Sequence, residues 1–225
     1  GTAREPPASG KFTYQIKARE SFTTSLPIPT FSRCSGFIKV TTTVPILTLH
    51  GDLIDVSKSA NFIAQSPSMQ SLQSAQTNAS EQSDFMTNEK VDFDLYALRS
   101  GLSAGVITFT DEKTNAYSWY MIEITVDLPN PEETIYVTTA TRVPIDINIP
   151  VVNNHDYPIG FDVEFEDEEL TGESKITIPS DSDFIYKLHL NPLKASDRVT
   201  AVSFYHDTEG EYLYDINIHI SPPEV

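Results

Sequence analysis

The densest run of chemistry-bearing side chains is Glu164-Phe165-Glu166-Asp167-Glu168-Glu169, five carboxylates in six residues. Carboxylate oxygens are the ligands that hard cations such as calcium take. They also draw in basic protein segments through their long-range field. The run lacks the alternating Asp/Asn-with-Gly spacing of a dedicated calcium loop, so the expected visitor is a basic protein partner rather than a metal. Its expected place is a strand end running into a turn at 170–173, where a solvated acidic tip is the default. Trp119, the single tryptophan, joins Glu164, Glu166, Asp167, Glu168 and Glu169 as a candidate interaction patch.

Other chemistry is sparse. The five histidines (His50, His155, His189, His206 and His219) show no metal-ligand spacing, and one cysteine supplies no zinc motif. Cys34 follows Arg33, which would lower a thiol pKa, but no neighbouring His or Asp offers the base a nucleophile needs. Nine glycines form neither a phosphate-cradling loop nor a Gly-x-Ser-x-Gly elbow. The expectation is a protein that is not an enzyme, with no catalytic, cofactor-binding or metal-binding residue and no cofactor.

Charge narrows the partners. The net charge is -17, and from Asp127 onward the chain carries 20 acidic and 5 basic residues. Nucleic acid and anionic membranes are bound through Lys and Arg, so neither is expected. No apolar stretch approaches the ~18 residues of a membrane span, and the start Gly1-Thr2-Ala3-Arg4-Glu5-Pro6-Pro7 does not read as a signal peptide. A lone cysteine excludes an intrachain disulfide, which favours an intracellular setting.

The elements that must position these residues are strands. Ile107-Thr108-Phe109, a polar turn and Trp119-Tyr120-Met121-Ile122-Glu123-Ile124-Thr125-Val126 are echoed by Val202-Ser203-Phe204, a turn holding Gly210, and Leu213-Tyr214-Asp215-Ile216-Asn217-Ile218-His219-Ile220. Such self-similarity marks tandem modules, and a period near 100 residues fits a small β-sandwich. Alternation predicts a half-buried strand over 11–18, an edge or linker over 25–29, and strands over 37–43, 46–54, 91–95, 104–110 and 118–126. A proline-bearing linker at 127–131 is followed by about seven more strands in a sandwich rhythm. The fold class is all-β, divided at 1–127 and 128–225. Residues 57–89 form a long polar insertion in which Ser66-Pro67-Ser68 caps one short helix carrying Met69, Leu72 and Ala75. Trp119 has the opposite parity from Tyr120. It is expected on the other face of the sheet, packed under a loop or domain or exposed as a contact.

Family-like phrases sit in the second half. Alternating apolar residues over 147–151, then Asn153-Asn154, Tyr157-Pro158 and Phe161-Asp162-Val163, resemble the opening of major-sperm-protein-like domains, including the ASH relatives of cilia, centrosome and hydin proteins. Ile176-Thr177-Ile178-Pro179, the strand after it and Gly210-Glu211-Tyr212-Leu213-Tyr214 are similar to that family's central and closing strands. The doubled Trp119-Tyr120 and Leu213-Tyr214 phrases resemble tandem modules of long cilia- and flagella-associated proteins. The likeness covers residues 130–225 and, in the first half, the closing strands alone. It implies tandem immunoglobulin-like sandwiches in an axonemal scaffold, located in the cilium or flagellum, docking basic or microtubule-associated proteins. Asn153 or Asn154 would bond turn backbone, and Tyr120 and Tyr214 would bury their rings with each hydroxyl finding a partner. A calcium-dependent extracellular adhesion module is the alternative, and an atypical enzyme site in the insertion is a third reading.

Overall fold

The structure, a computed structural model, describes residues 7–29, 36–57 and 89–223. Every regular element among them is a strand. The short helix expected near Met69 and Cys34 lie outside the described residues. The chain forms two compact units: the described parts of Gly1–Gln15, Ser21–Tyr96 and Leu102–Thr125, and then Ile16–Glu20, Ala97–Gly101 and Val126–Val225.

Strands β1 (Gly10–Lys17), β2 (Phe22–Pro27), β3 (Phe37–Thr42), β4 (Leu47–Leu49), β5 (Leu53–Asp55), β6 (Lys90–Leu95), β7 (Gly101–Asp111) and β8 (Tyr117–Asp127) make up the first unit, apart from Ile16, Lys17, Gly101, Val126 and Asp127 at strand ends, which fall in the second. Its sheets run β1-β8-β7-β3-β5 and β2-β6-β4. Period-two alternation explains the pairing, because successive side chains point to opposite faces. One face of β8 presents Tyr120, Ile122, Ile124 and Val126, all buried. Tyr120 stacks edge-on against Phe12 (5.0 Å) and Phe109 (5.5 Å), and Tyr14 reaches Phe93 of the smaller sheet at 5.9 Å. Burial pushes the Tyr14 hydroxyl pKa up, so it stays protonated.

The second unit contains β9 (Pro131–Ala140), β10 (Ile145–Asn153), β11 (Ile159–Phe165), β12 (Leu170–Thr171), β13 (Lys175–Ile178), β14 (Ser182–Leu190), β15 (Ser196–His206) and β16 (Gly210–Ser221). Its sheets run β13-β11-β15-β16-β9 and β10-β14-β12. Strand for strand this is the order of the first unit, eight positions later. The doubled phrase therefore reports a doubled topology.

In the second unit both sheets contribute to one core. Ile147, Ile149 and Leu188 of the small sheet and Phe161, Phe204 and Ile216 of the large one belong to a single buried cluster. Each fully buried side chain of this size is worth about 1.5–3 kcal/mol. Phe204 sits edge-on to Tyr186 (5.2 Å), Tyr214 (5.6 Å) and Phe161 (6.5 Å). The hairpin of β15 and β16 turns at Gly210, where φ is +90° and a Cβ would lie 2.9 Å from the Leu98 carbonyl. Only glycine fits both conditions.

Two expectations need correction. The single strand expected over 46–54 is two short ones in different sheets: β4 pairs with β6 and β5 with β3. The chain crosses between sheets at His50-Gly51-Asp52: Leu47, Leu49 and Leu53 continue one alternation in the sequence, but the inward parity changes at the crossing, leaving Leu53 exposed and turning Ile54 and Val56 inward. The turn expected at 170–173 contains β12, which pairs Leu170 and Thr171 with Leu190 and His189. Two residues are too few to show alternation. The chain crosses again at Gly172, where a Cβ would come within 2.2 Å of the Tyr186 hydroxyl. With β12 the second half has eight strands rather than about seven. The segment over 25–29, expected as an edge or linker, overlaps β2, the edge of its sheet.

Candidate functional site

The outer face of the second unit's large sheet carries a surface cleft. Strand β11 is paired to β15 only from Asp162–Tyr205 to Phe165–Val202, while β15 runs back to Ser196. Among the described residues no strand continues the ladder beside residues 196–201 on that side. On the outward face over this stretch lies an open cleft of about 510 Å³, which continues over the paired residues Glu164 and Ser203. Val199 and Ala201 form its floor, Glu164 and Glu166 one wall, and Leu213 and Asp215 the other. The register explains the convergence: Val199 lies opposite Asn217, Ala201 opposite Asp215 and Ser203 opposite Leu213.

At one end Glu211 is almost wholly buried. One carboxylate oxygen accepts from the Ser203 hydroxyl (3.0 Å) and the other from the Ser100 amide (2.8 Å). Nearby, Arg99 donates to Glu164 at 2.5 Å and stacks over Tyr205 at 4.5 Å. That hydrogen bond raises the Arg99 pKa further. Arg19 likewise bonds Glu132 and lies 4.0 Å over the Tyr212 ring.

The acidic run does not act as one group. Glu164, Glu166 and Glu168 are exposed, whereas the Asp167 and Glu169 side chains are each 12% exposed and close onto Arg198. The Arg198 Nε donates to Asp167 at 2.7 Å and its Nη2 to Glu169 at 2.5 Å. Burial opposes the Arg198 charge, but the two carboxylate bonds outweigh it and raise its pKa. Asp167 also accepts from the Glu169 amide, and Glu169 from the Leu193 amide. These two carboxylates are structural ties, so the solvated acidic tip is replaced by a partly inward knot. Their shared cation is the Arg198 guanidinium, and no group of three metal-ligating side chains occurs among the described residues.

Trp119 lies in the first unit, half-buried on the face opposite Tyr120. Asn153 is buried as the turn reading requires. Its amide donates to the Tyr157, Ile178 and Pro179 carbonyls (2.8, 3.2 and 2.9 Å), and its oxygen accepts from the His155 amide at 3.0 Å. The Tyr214 hydroxyl donates to the Pro150 carbonyl at 2.9 Å. Four histidines each face one carboxylate: His50–Asp94, His155–Glu209, His189–Asp146 and His219–Asp197. The last two are directly opposed pairs in their ladders.

Sequence reasoning missed Asp215, Glu211, Val199, Leu128 and Ser100 as cleft residues. The available signal was parity, since Glu211, Leu213 and Asp215 share the outward face of a strand whose inward face is Tyr214, Ile216 and Ile218.

With this geometry in hand, comparison with known proteins adds one relation. The chain is similar to hydrocephalus-inducing protein. The Mus musculus protein is 23% identical over 145 residues, covering 63% of this chain and 3% of that protein. The Homo sapiens homolog is 23% identical over 141 residues, 62% of this chain and 3% of its own length. The chain thus spans about 3% of the curated relatives it matches. No family model matches the chain. Among solved structures, an endo-fucoidan hydrolase of glycoside hydrolase family 107 is 12% identical with a TM-score of 0.31, over 97% of this chain and 28% of that one. The titin Z1Z2 domains in complex with telethonin are 8% identical with a TM-score of 0.26, over 96% and 94%. Neither likeness is close enough to carry an argument.

Proposed function

We propose that this chain is a non-enzymatic structural segment of a longer ciliary or flagellar protein, and that it works by docking other proteins. The observation that carries the reading is the similarity to hydrocephalus-inducing protein over most of the chain, joined to a strand order repeated element for element. Repetition of one module is how long scaffolds are built. Its finer form is a tandem pair of immunoglobulin-like sandwiches of the major-sperm-protein or ASH type, divided near residue 127. The Asn153 turn and the Tyr214 hairpin support that form in the second unit.

Docking would use the exposed carboxylates Glu164, Glu166 and Glu168, with Asp167 and Glu169 holding their loop in place. Trp119 would provide a separate contact in the first unit. The acidic balance favours basic, including microtubule-associated, partners, and the single cysteine favours an intracellular setting. Labelling the native protein in ciliated cells tests this reading: signal confined to the cilium is expected, and uniform cytosolic signal overturns it.

A further inference from the structure

We infer that the cleft beside β15 receives an extended, basic peptide segment of a partner protein, laid along the uncovered stretch of that strand. This rests on the docking reading above and specifies where and with what chemistry docking occurs. Three features of the second unit converge. Strand β11 stops pairing at Phe165–Val202, so β15 presents residues 196–201 to any strand that would extend the ladder. An extended peptide can take such a place through main-chain hydrogen bonds.

The floor is apolar and open. Val199 is 68% exposed and Leu128, at the rim, 49%. Alternate side chains of an added strand would face this floor.

Charge decides the occupant. Four carboxylates line the cleft (Glu164, Glu166, Glu211 and Asp215), and no Lys or Arg is among its described lining residues. The two neighbouring cations are already engaged, Arg99 by Glu164 and Arg198 by Asp167 and Glu169. Glu166 and Asp215 are therefore left to meet positive charge from outside. An acidic segment, or a second copy of this strongly acidic chain, would be repelled. A peptide alternating Lys or Arg with an aliphatic residue would satisfy both floor and walls.

The test uses the full chain and a fluorescent peptide of about ten residues alternating lysine and valine, read by fluorescence anisotropy. Binding is expected, weakening between about 50 and about 500 mM salt. The double variant Glu166→Gln/Asp215→Asn leaves the Arg99 and Arg198 pairs intact and is expected to weaken binding at least about tenfold. Asp156→Asn/Asp183→Asn removes equal charge elsewhere on the second unit and is expected to change it less than about twofold. Equal losses in the two variants would reduce the effect to diffuse charge and overturn the proposal, as would no binding at all. Two peptides N-methylated at alternate amides, one in each register, test the strand-like mode. One is expected to lose binding, and retention by both overturns that mode. Localisation is independent of these results: a protein that reaches the cilium but ignores the peptide refutes the cleft while leaving the docking reading in place.

Discussion

At the last inward position of β10 the second unit places Asn153, and at the last inward position following β2 the first unit places Ile28. Both are almost wholly buried. Asn153 is surrounded by carbonyls because the connection from β13 to β14 is only residues 179–181, a tight turn that brings Ile178 and Pro179 to its amide. In the first unit only residues 56, 57 and 89 of the stretch between β5 and β6 are described. There the Ile28 amide donates to the Glu89 carbonyl at 3.1 Å, and the side chain is simply apolar. Burying an amide costs free energy unless its hydrogen bonds are made. A short turn that supplies acceptors makes Asn favourable at residue 153, whereas the first unit fills its position with the buried aliphatic Ile28. The Asn-turn-Pro opening is legible in one unit and missing from the other, and Asn153 and Ile28 mark that difference.

Substitutions can break or sharpen this contrast. Asn153→Ile places the first unit's aliphatic type in the second and leaves three carbonyls without their donor. Unmet buried groups cost about 1–3 kcal/mol each and act together, so a loss of about 3–5 kcal/mol is expected in urea unfolding. A loss below ~1 kcal/mol would show that the corner does not depend on its amide. The reverse change, Ile28→Asn, is expected to cost about 2–4 kcal/mol through lost burial and an unsatisfied amide. A neutral result would mean that this position accepts an amide as readily as the second unit's does.

Arg198→Met removes the guanidinium from two largely buried carboxylates and is expected to cost about 1–3 kcal/mol, with a drop in melting temperature. Smaller again, Tyr214→Phe loses the bond to the Pro150 carbonyl while keeping the ring, about 0.5–1.5 kcal/mol.

The weakest effect is that of Asp94, exposed on β6. The Thr23 hydroxyl, and after it His50, hold its carboxyl below the usual aspartate range. A lowered folded-state pKa adds stability above the unfolded-state value and loses it as pH falls through the folded one. Asp94→Asn should therefore destabilise slightly at neutral pH, with the difference closing in strong acid. A pH-independent difference in melting temperature would remove the titration from the account.

Much of this plan was legible from residue order. Period-two alternation located β10, β11, β14, β15 and β16, because long half-buried strands announce themselves. The doubled hairpin pointed to a repeated topology. What escaped was short or produced by register. Strand β12 is two residues long, and the apolar spacing Leu47, Leu49, Leu53 runs straight across the sheet crossing at His50-Gly51-Asp52 although the buried parity changes there. The acidic run was visible, but its division into outward Glu164, Glu166 and Glu168 and inward Asp167 and Glu169 depends on Arg198, a lone cation 29 residues beyond Glu169. The cleft depends on where β11 stops, which alternation in β15 does not encode.

The claim that this chain is a docked structural segment, rather than a freely diffusing protein, is tested most directly by extracting ciliated cells with detergent and following the labelled native protein. Retention on the demembranated axonemes, with release by high salt, is the predicted result. Complete release with the soluble fraction at physiological salt would contradict it.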